Sequence, residues 1–548
     1  MHIGISYKQH DVTGIYDVIV IGSGIGGLGT AALLAKHAGK RVLVLDRHYT
    51  AGGFTHTFRR PGYEWDVGVH YVGQVMDLDS PIRQLFDDVT NAELEWADMG
   101  DVYDRIVIGQ DVYDFVKGKE NFRQRLHDYF PAERRAIDRY LKEMDATARR
   151  ANLYFSEKSL PVPLSCLVGG LLRWPLLQKA KRTTLETLQS LTDDKRLIGV
   201  LTGQYGDYGL PPSKSSFFIH ALVASHYLDG GAYPVGGASR LAMTILPVIE
   251  SAGGAVYTNA EVRQILVEND RAVGVRLADG NEFRAPLVVS DVGASNTFRR
   301  LLPNEVSAVH RFGAMLKRQT DSVAHLCLYI GLRQTASELG LSRTNLWIYA
   351  HHDHDRNFEQ FMADPNAALP AAYVSFPSAK DPDFELRYPG RATVEVVNYA
   401  PYAWFEKWED TTWRKRGDEY EALKARLSER LLEPLYAQCP QVKGKIDYLE
   451  LSTPLSTRHF TGHRKGAMYG LAATPARFQE RWLRPQTSIR NLYLTGTDIG
   501  TPGVAGALLG SWLTASAIMG RNIGGIVAKG AEAARSRRAS AGNDAKGR

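Results

Sequence analysis

Residues 17–27 read DVIVIGSGIGG, residues 28–35 continue LGTAALLA, and residues 41–46 read RVLVLD. Val18 to Ile21 is an unbroken run of β-branched apolar residues, the composition of a strand buried on both faces. Gly22 permits a tight turn out of that strand, Gly24 lets the backbone approach a diphosphate, and Gly27 lets the next helix pack on the strand; Ser23, Ile25 and Gly26 fill the turn. Leu28, Ala31, Ala32 and Ala35 recur at helical spacing, so a helix follows whose free N–H groups and dipole suit a phosphate. Asp46 ends the second strand twenty-four residues after Gly22, where a carboxylate accepts ribose hydroxyls. This strand–helix–strand unit predicts an α/β, Rossmann-like fold built to hold a dinucleotide.

The rest of the composition narrows the class. The chain has 548 residues, 44% hydrophobic and 23% charged, enough for two or more domains. Sixty-six Lys and Arg against 60 Asp and Glu give +6, too mild for a polyanion-coating protein, and no nucleic-acid partner is expected. Cys166, Cys327 and Cys439 stand too far apart for a disulfide framework or a zinc knuckle, which suits a reduced, cytoplasmic setting. Residues 1–16 lack the apolar core of a secretory signal, and no window approaches the ~20 apolar residues of a spanning helix. The run His351-His352-Asp353-His354-Asp355 has ligand chemistry, but no distant residue completes a set, so a solvated loop and no metal are expected.

The far end of the chain supplies a second nucleotide anchor. Thr495-Gly496-Thr497-Asp498 follows the strand-like Arg490–Thr495, and Gly503, Val504 and Ala505 open another helix, whose N-terminus suits the pyrimidine edge of a flavin. Asp498 is placed to hold a ribityl hydroxyl. Gly52-Gly53 gives a second close backbone approach, and Arg47 is placed for adenine or diphosphate. Anchors at both ends fit FAD better than NAD. One FAD-binding domain is therefore expected from residues 1–80, 220–305 and 455–527. A mixed α/β substrate domain is expected from 81–219 and 306–454, and a disordered basic tail from 528–548. Within 161–182, Leu164, Leu167, Val168, Leu171, Leu172, Trp174, Leu176 and Leu177 followed by Lys179, Lys181 and Arg182 suggest contact with a membrane surface, the alternatives being a core helix or a subunit contact.

Several of these motifs carry a resemblance. GSGIGG, DRHYTAGGFTHTF (from Asp46) and YEWDVGVHYVG resemble the FAD-dependent phytoene desaturase, carotenoid isomerase and retinol saturase superfamily. The similarity is greatest to the all-trans-retinol 13,14-reductase branch. His226-Tyr227, Tyr233-Pro234-Val235-Gly236-Gly237, the segment Phe376–Pro382, Trp404–Trp408 and residues 491–511 match that branch as well. The resemblance covers about Tyr16 to Asn522. It implies FAD contacts at Gly22, Gly24, Gly26, Gly27, Asp46, Gly52, Gly53, Gly496, Asp498, Val504 and Ala505, with Val262 meeting adenine through its backbone. It departs at Phe54-Thr55, where the vertebrate saturases carry cysteines.

The implied chemistry is hydride exchange at a carbon–carbon bond of a long apolar lipid, a retinoid, carotenoid or unsaturated acyl chain, with saturation favoured. Desaturation and cis–trans isomerisation are alternatives on the same fold, as is a flavin-free carrier of prenyl groups. The electron donor or acceptor is left open. Proton donors are sought among His56, His70, Tyr71, His226 and Tyr233, with His70 and Tyr71 leading, because His and Tyr suit proton transfer from an apolar site.

Overall fold

Val18–Ile21 stands in the middle of a six-stranded sheet in the computed structural model, which describes residues 2–546 and side chains as far as 541. The strand order is Ile5–Ser6, Ala255–Thr258, Val42–Leu45, Val18–Ile21, Leu287–Ser290, Leu492–Leu494, and every pairing is parallel. The register aligns Val18 with Val42 and Leu287, so all four residues of the central strand are buried. The helix Ile25–Ala38 covers the strand and ends at Gly39, whose φ of +59° only glycine adopts without strain. Gly29 lies where a Cβ would come 2.6 Å from Ser511 Oγ, so a side chain there would push this helix off the helix Val504–Met519.

A second sheet of seven strands lies on the other side of the functional cleft. Its order is Ile446–Ser452, Ala324–Arg333, Arg391–Ala400, Ala372–Ser375, Asn345–Tyr349, Val102–Ile108, Asp111–Val116. The pairings are antiparallel except that of Asn345–Tyr349 with Val102–Ile108. Three smaller antiparallel sheets complete the scaffold, one of them the two-stranded hairpin Thr57–Arg60 with Tyr63–Asp66. Val262–Glu268, Arg271–Leu277 and Glu282–Arg284 form another, and Val72–Gly73, Gly231–Pro234 and Trp96–Asp98 the third.

Three expectations need correction. Of the expected disordered tail 528–548, residues 528–546 instead belong to a helix, Gly524–Lys546, and residues 547–548 lie outside the described residues. Val527, Ala531 and Ala534 bury its inner face, and Arg535 reaches the buried Asp87 at 2.8 Å, so its alanines serve close helix packing. The expected domain boundary at 219/220 cuts the helix Phe217–Tyr227, which packs on the long helix Arg134–Ser159. The histidine run is only partly a solvated loop. Asp353 caps the helix His354–Ala363 through the Arg356 N–H, and His354 is buried with Nε2 2.8 Å from the Gly199 carbonyl.

Candidate active site

The parallel strands end at a cleft containing about 1670 Å³ of empty space, part of it open to solvent. Its near wall is the glycine-rich turn, with Gly22, Gly24, Ile25 and Gly26; Asp46, Arg47, Gly52, Gly53, Val262, Thr497, Gly503 and Val504 also line it. The far end is formed by Phe54, His70, His325, Cys327, Met468 and Tyr469.

The near wall fits a dinucleotide. Gly22 has φ of +97°, and a Cβ on Gly26 would lie 2.5 Å from the Gly496 Cα, so neither position accepts a side chain easily. On Gly24 the only obstruction is the Asp291 carboxylate. Asp46 Oδ2 accepts from the Ser23 N–H and hydroxyl at 2.6 Å each, and Oδ1 accepts from the His48 N–H at 2.7 Å. A carboxylate has about four acceptor sites, so Asp46 keeps capacity for a ribose. Ser23 is buried behind it and braces it.

Two neighbouring acids take roles that sequence reasoning did not assign. Asp498, expected to hold a ribityl hydroxyl, is buried and does not line the cleft. Its Oδ2 accepts from the Ala294 N–H at 2.8 Å and its Oδ1 from the Leu471 N–H at 2.9 Å. It ties three chain segments together under Gly496, because the loop after a parallel strand leaves N–H groups that need acceptors. Gly27, Gly496 and Ala505 likewise do not line the cleft, the two glycines being buried. Asp291 does line the cleft, at the end of Leu287–Ser290 against Gly24 and Gly26. Burial pushes its carboxyl up to about 8, with the Gly27 N–H pulling the other way and Asp46 and Asp498 adding repulsion.

Of the five candidate proton donors, two face the cleft. His56 lines it with Nδ1 against the Gly53 carbonyl, and burial lowers its pKa to about 4. His70 lines the far end, with Nδ1 3.0 Å from Glu395 Oε2, a close contact without the alignment of a formed hydrogen bond. Burial, then the nearby Lys380 ammonium, lower His70 to about 3, so the ring is neutral at pH 7. The other three are turned away, and the expectation for them is corrected. Tyr71 is buried and stacked on Tyr227, and its hydroxyl lies 2.9 Å from both Asp104 Oδ2 and Asp207 Oδ2. His226 Nε2 accepts the Gly73 N–H at 2.9 Å, and the Tyr233 hydroxyl donates to Asp66. Each braces the segment from Asp66 to Gly73 that contains His70, since a buried polar tip must find a partner.

Behind His70 lies a buried polar layer that sequence reasoning missed. Glu395 is fully buried, and neither carboxylate oxygen has a hydrogen-bond partner; burial raises its pKa while Lys380 opposes. Lys380 is also fully buried. Its ammonium donates to the His70 carbonyl at 2.9 Å, to Ser375 Oγ at 2.8 Å and to Asn345 Oδ1. Lys380 thereby fixes the His70 backbone, and Glu395 stands ready at its ring. The signal was available in residues 393–398, TVEVVN, where a lone acid interrupts a strand.

Comparison with known proteins follows the same lines. A family model described as "NAD(P)-binding Rossmann-like domain" matches residues 20–89. The chain is 36% identical over 529 residues to all-trans-retinol 13,14-reductase of Danio rerio, covering 92% of this chain and 86% of that protein. It is 25% identical to chloroplastic prolycopene isomerase of Arabidopsis thaliana, covering 84% and 75%. Among solved structures, putrescine oxidase superposes with a TM-score of 0.61 at 16% identity, covering 93% of this chain and all of that one. That likeness concerns the fold, which flavin-type oxidoreductases share. Among the described residues no helix is long and apolar enough to cross a membrane.

Proposed function

The chain belongs to the all-trans-retinol 13,14-reductase family, and from that premise we propose that it holds FAD in the glycine-rich cradle and saturates a carbon–carbon double bond of a retinoid-like polyene. One observation carries this reading. A single cleft runs from the dinucleotide cradle to a neutral histidine backed by a buried, unpartnered carboxyl group.

Gly22, Gly24, Ile25 and Gly26 would receive the diphosphate, Asp46 the adenosine ribose and the Val262 backbone the adenine. The chemistry such a cofactor would supply is hydride transfer to one carbon of the double bond. The protein supplies the rest. Phe54, Met468 and Tyr469 give an apolar wall for a polyene and exclude water. The second carbon needs a proton, and neutral His70 is by itself a weak acid. Glu395, kept protonated by burial, passes its proton to Nδ1 as Nε2–H gives one to carbon, so a histidine with a low pKa still delivers. Glu395 then regains a proton from water. Asp104, Gln204 and Asn345 hold Lys380 and Tyr71 in place behind this pair.

The test is to reduce the purified protein without oxygen and add all-trans-retinol, a carotenoid and an unsaturated fatty acid separately. Saturation returns the flavin to its oxidised spectrum with the accepted lipid alone. Similarity to prolycopene isomerase favours one second reading, isomerisation, in which the flavin stays reduced and the product mass is unchanged. A colourless protein that binds the lipid would mean a carrier.

Asp291 gives a pH prediction. Its carboxylate would stand against the cofactor diphosphate when ionised, and the group is protonated below about 8 and charged above. FAD affinity is therefore expected to fall about tenfold from pH 6 to pH 9, the ratio of charged to neutral acid one unit above its pKa. Asp291→Asn should flatten that dependence, as read by flavin fluorescence quenching.

The helix Val162–Ala180 supports membrane contact as a further part of the reading. Leu167, Leu171 and Trp174 are 83%, 78% and 62% exposed and, with Leu164, lie at helical spacing on one face. Ser165, Gly169, Arg173 and Leu176 bury the other face, and Lys181 and Arg182 flank the end. An apolar stripe with Trp and a basic flank inserts shallowly into anionic lipid, where a polyene substrate is dissolved. Changing Leu167, Leu171 and Trp174 to Ser should weaken sedimentation with anionic vesicles by at least about tenfold, given ~1.5–3 kcal/mol per buried apolar side chain. Activity on detergent-dispersed substrate should remain.

A further inference from the structure

A second cleft, with about 1440 Å³ of empty space partly open to solvent, adjoins the first. Arg47, Asn296, Arg300 and Gly462 line both. Its remaining wall contains Arg299, Arg416, Arg458, Arg464 and Lys465, with Glu406 and Glu409 as its only acids. Seven cations therefore face two carboxylates. Arg458 is paired to Glu409 at 2.6 Å and Arg464 to Asp321 at 2.9 Å. Arg47, Arg299, Arg300, Arg416 and Lys465 form no ion pair among the described residues.

Few counter-charges offset this crowding. Burial and then Arg47 lower the Arg300 guanidinium, with Glu261 opposing. Arg416 Nε is buried with no hydrogen-bond partner, a state that is costly unless a ligand supplies an acceptor. Lys465 is held at φ of +52° in a turn anchored by Gly466, which packs against the Pro454 carbonyl. Strain of this kind persists where surrounding structure imposes it. The unpaired Arg299, Arg416 and Lys465 do not line the dinucleotide cleft, so the cradle at Gly22–Gly27 leaves them without an anion.

We propose that this arginine-lined cleft is a second binding site for a small molecule bearing a diphosphate or similar polyphosphate group, seated beside the dinucleotide cradle. Planar guanidinium groups match phosphate oxygens two at a time, and several unpaired ones favour more than a single phosphate. Two sources share this chemistry: a soluble nucleotide, and a lipid with a diphosphate head group. The site goes beyond the reading of the reaction and stands whether or not that reading does.

The test uses the flavin-loaded protein. Trp413 stacks on His459, which lines the cleft, with ring centroids 5.4 Å apart, and serves as a fluorescence reporter. Inorganic pyrophosphate should change that emission saturably, more weakly as salt rises because exposed charges are screened. Arg299→Gln with Lys465→Asn, two exposed and unpaired positions, should weaken the apparent Kd at least tenfold with the flavin spectrum unchanged. Arg416→Gln alone provides a second variant with the same expectation. NADPH and a short-chain prenyl diphosphate then separate the two sources by which competes with pyrophosphate. Absence of saturable binding, equal binding by the variants, or release of the flavin by pyrophosphate would each overturn the proposal.

Discussion

Replacing His70 by Phe is expected to slow reoxidation of the reduced flavin by all-trans-retinol about 10²-fold or more, the usual contribution of a positioned proton donor. Phenylalanine keeps the bulk of the ring and the apolar wall, so flavin content and lipid affinity should remain. Glu395→Gln should lower the rate in the same direction, because the amide cannot pass a proton to Nδ1. Wild-type rates should hold below about pH 8 and fall above it, since burial raises the Glu395 carboxyl to that value and only the protonated form donates. The glutamine variant should lose that alkaline limb along with the rate. A purely structural role for Glu395 would instead lower the melting temperature and leave the pH profile unmoved. Rates with the His70 variant close to wild type would mean that water delivers the proton.

Gly24→Val is expected to weaken FAD binding by about tenfold to a hundredfold, corresponding to ~1–3 kcal/mol of overpacking at a close backbone approach. Gly24 has φ of −60° and ψ of 167°, which any residue adopts, so the backbone itself is not strained by the change. A Cβ there meets only the Asp291 carboxylate, at 2.5 Å, a side chain that can move. The apoprotein should therefore fold, with its far-ultraviolet circular dichroism unchanged, and purify without colour. The same substitution at Gly26 meets the Gly496 backbone and would confound binding with folding. Retention of flavin by the Gly24 variant would place the cofactor diphosphate elsewhere.

The nucleotide fold was legible because its signals are local. Val18–Ile21, the glycine turn and Asp46 lie within thirty residues, and each has a steric or electrostatic reason to stand where it does. The interior of the other half was not. Glu395 and Lys380 lie far from His70 in sequence and meet it only because the seven-stranded sheet packs over the cleft. A lone acid in an apolar strand was visible, but its partner was not. Tyr71 illustrates the reverse error: it follows His70 in the chain, yet His70 lines the cleft while the Tyr71 hydroxyl is held in the core beside Asp104 and Asp207. Asp498 looked like a ligand because it follows a strand; the unpaired N–H groups of two loops claim it first. The helix Gly524–Lys546 was hidden by composition, since Ala, Ser and Arg suit both a tail and a packed helix until Arg535 is seen against Asp87.

The most direct measurement is a single anaerobic turnover, in which reduced protein is mixed with all-trans-retinol and the flavin spectrum and product mass are read from the same sample. The account predicts one flavin reoxidised for each product molecule gained, and a product heavier by two hydrogens. A flavin that stays reduced while the polyene is recovered with its mass unchanged would contradict it.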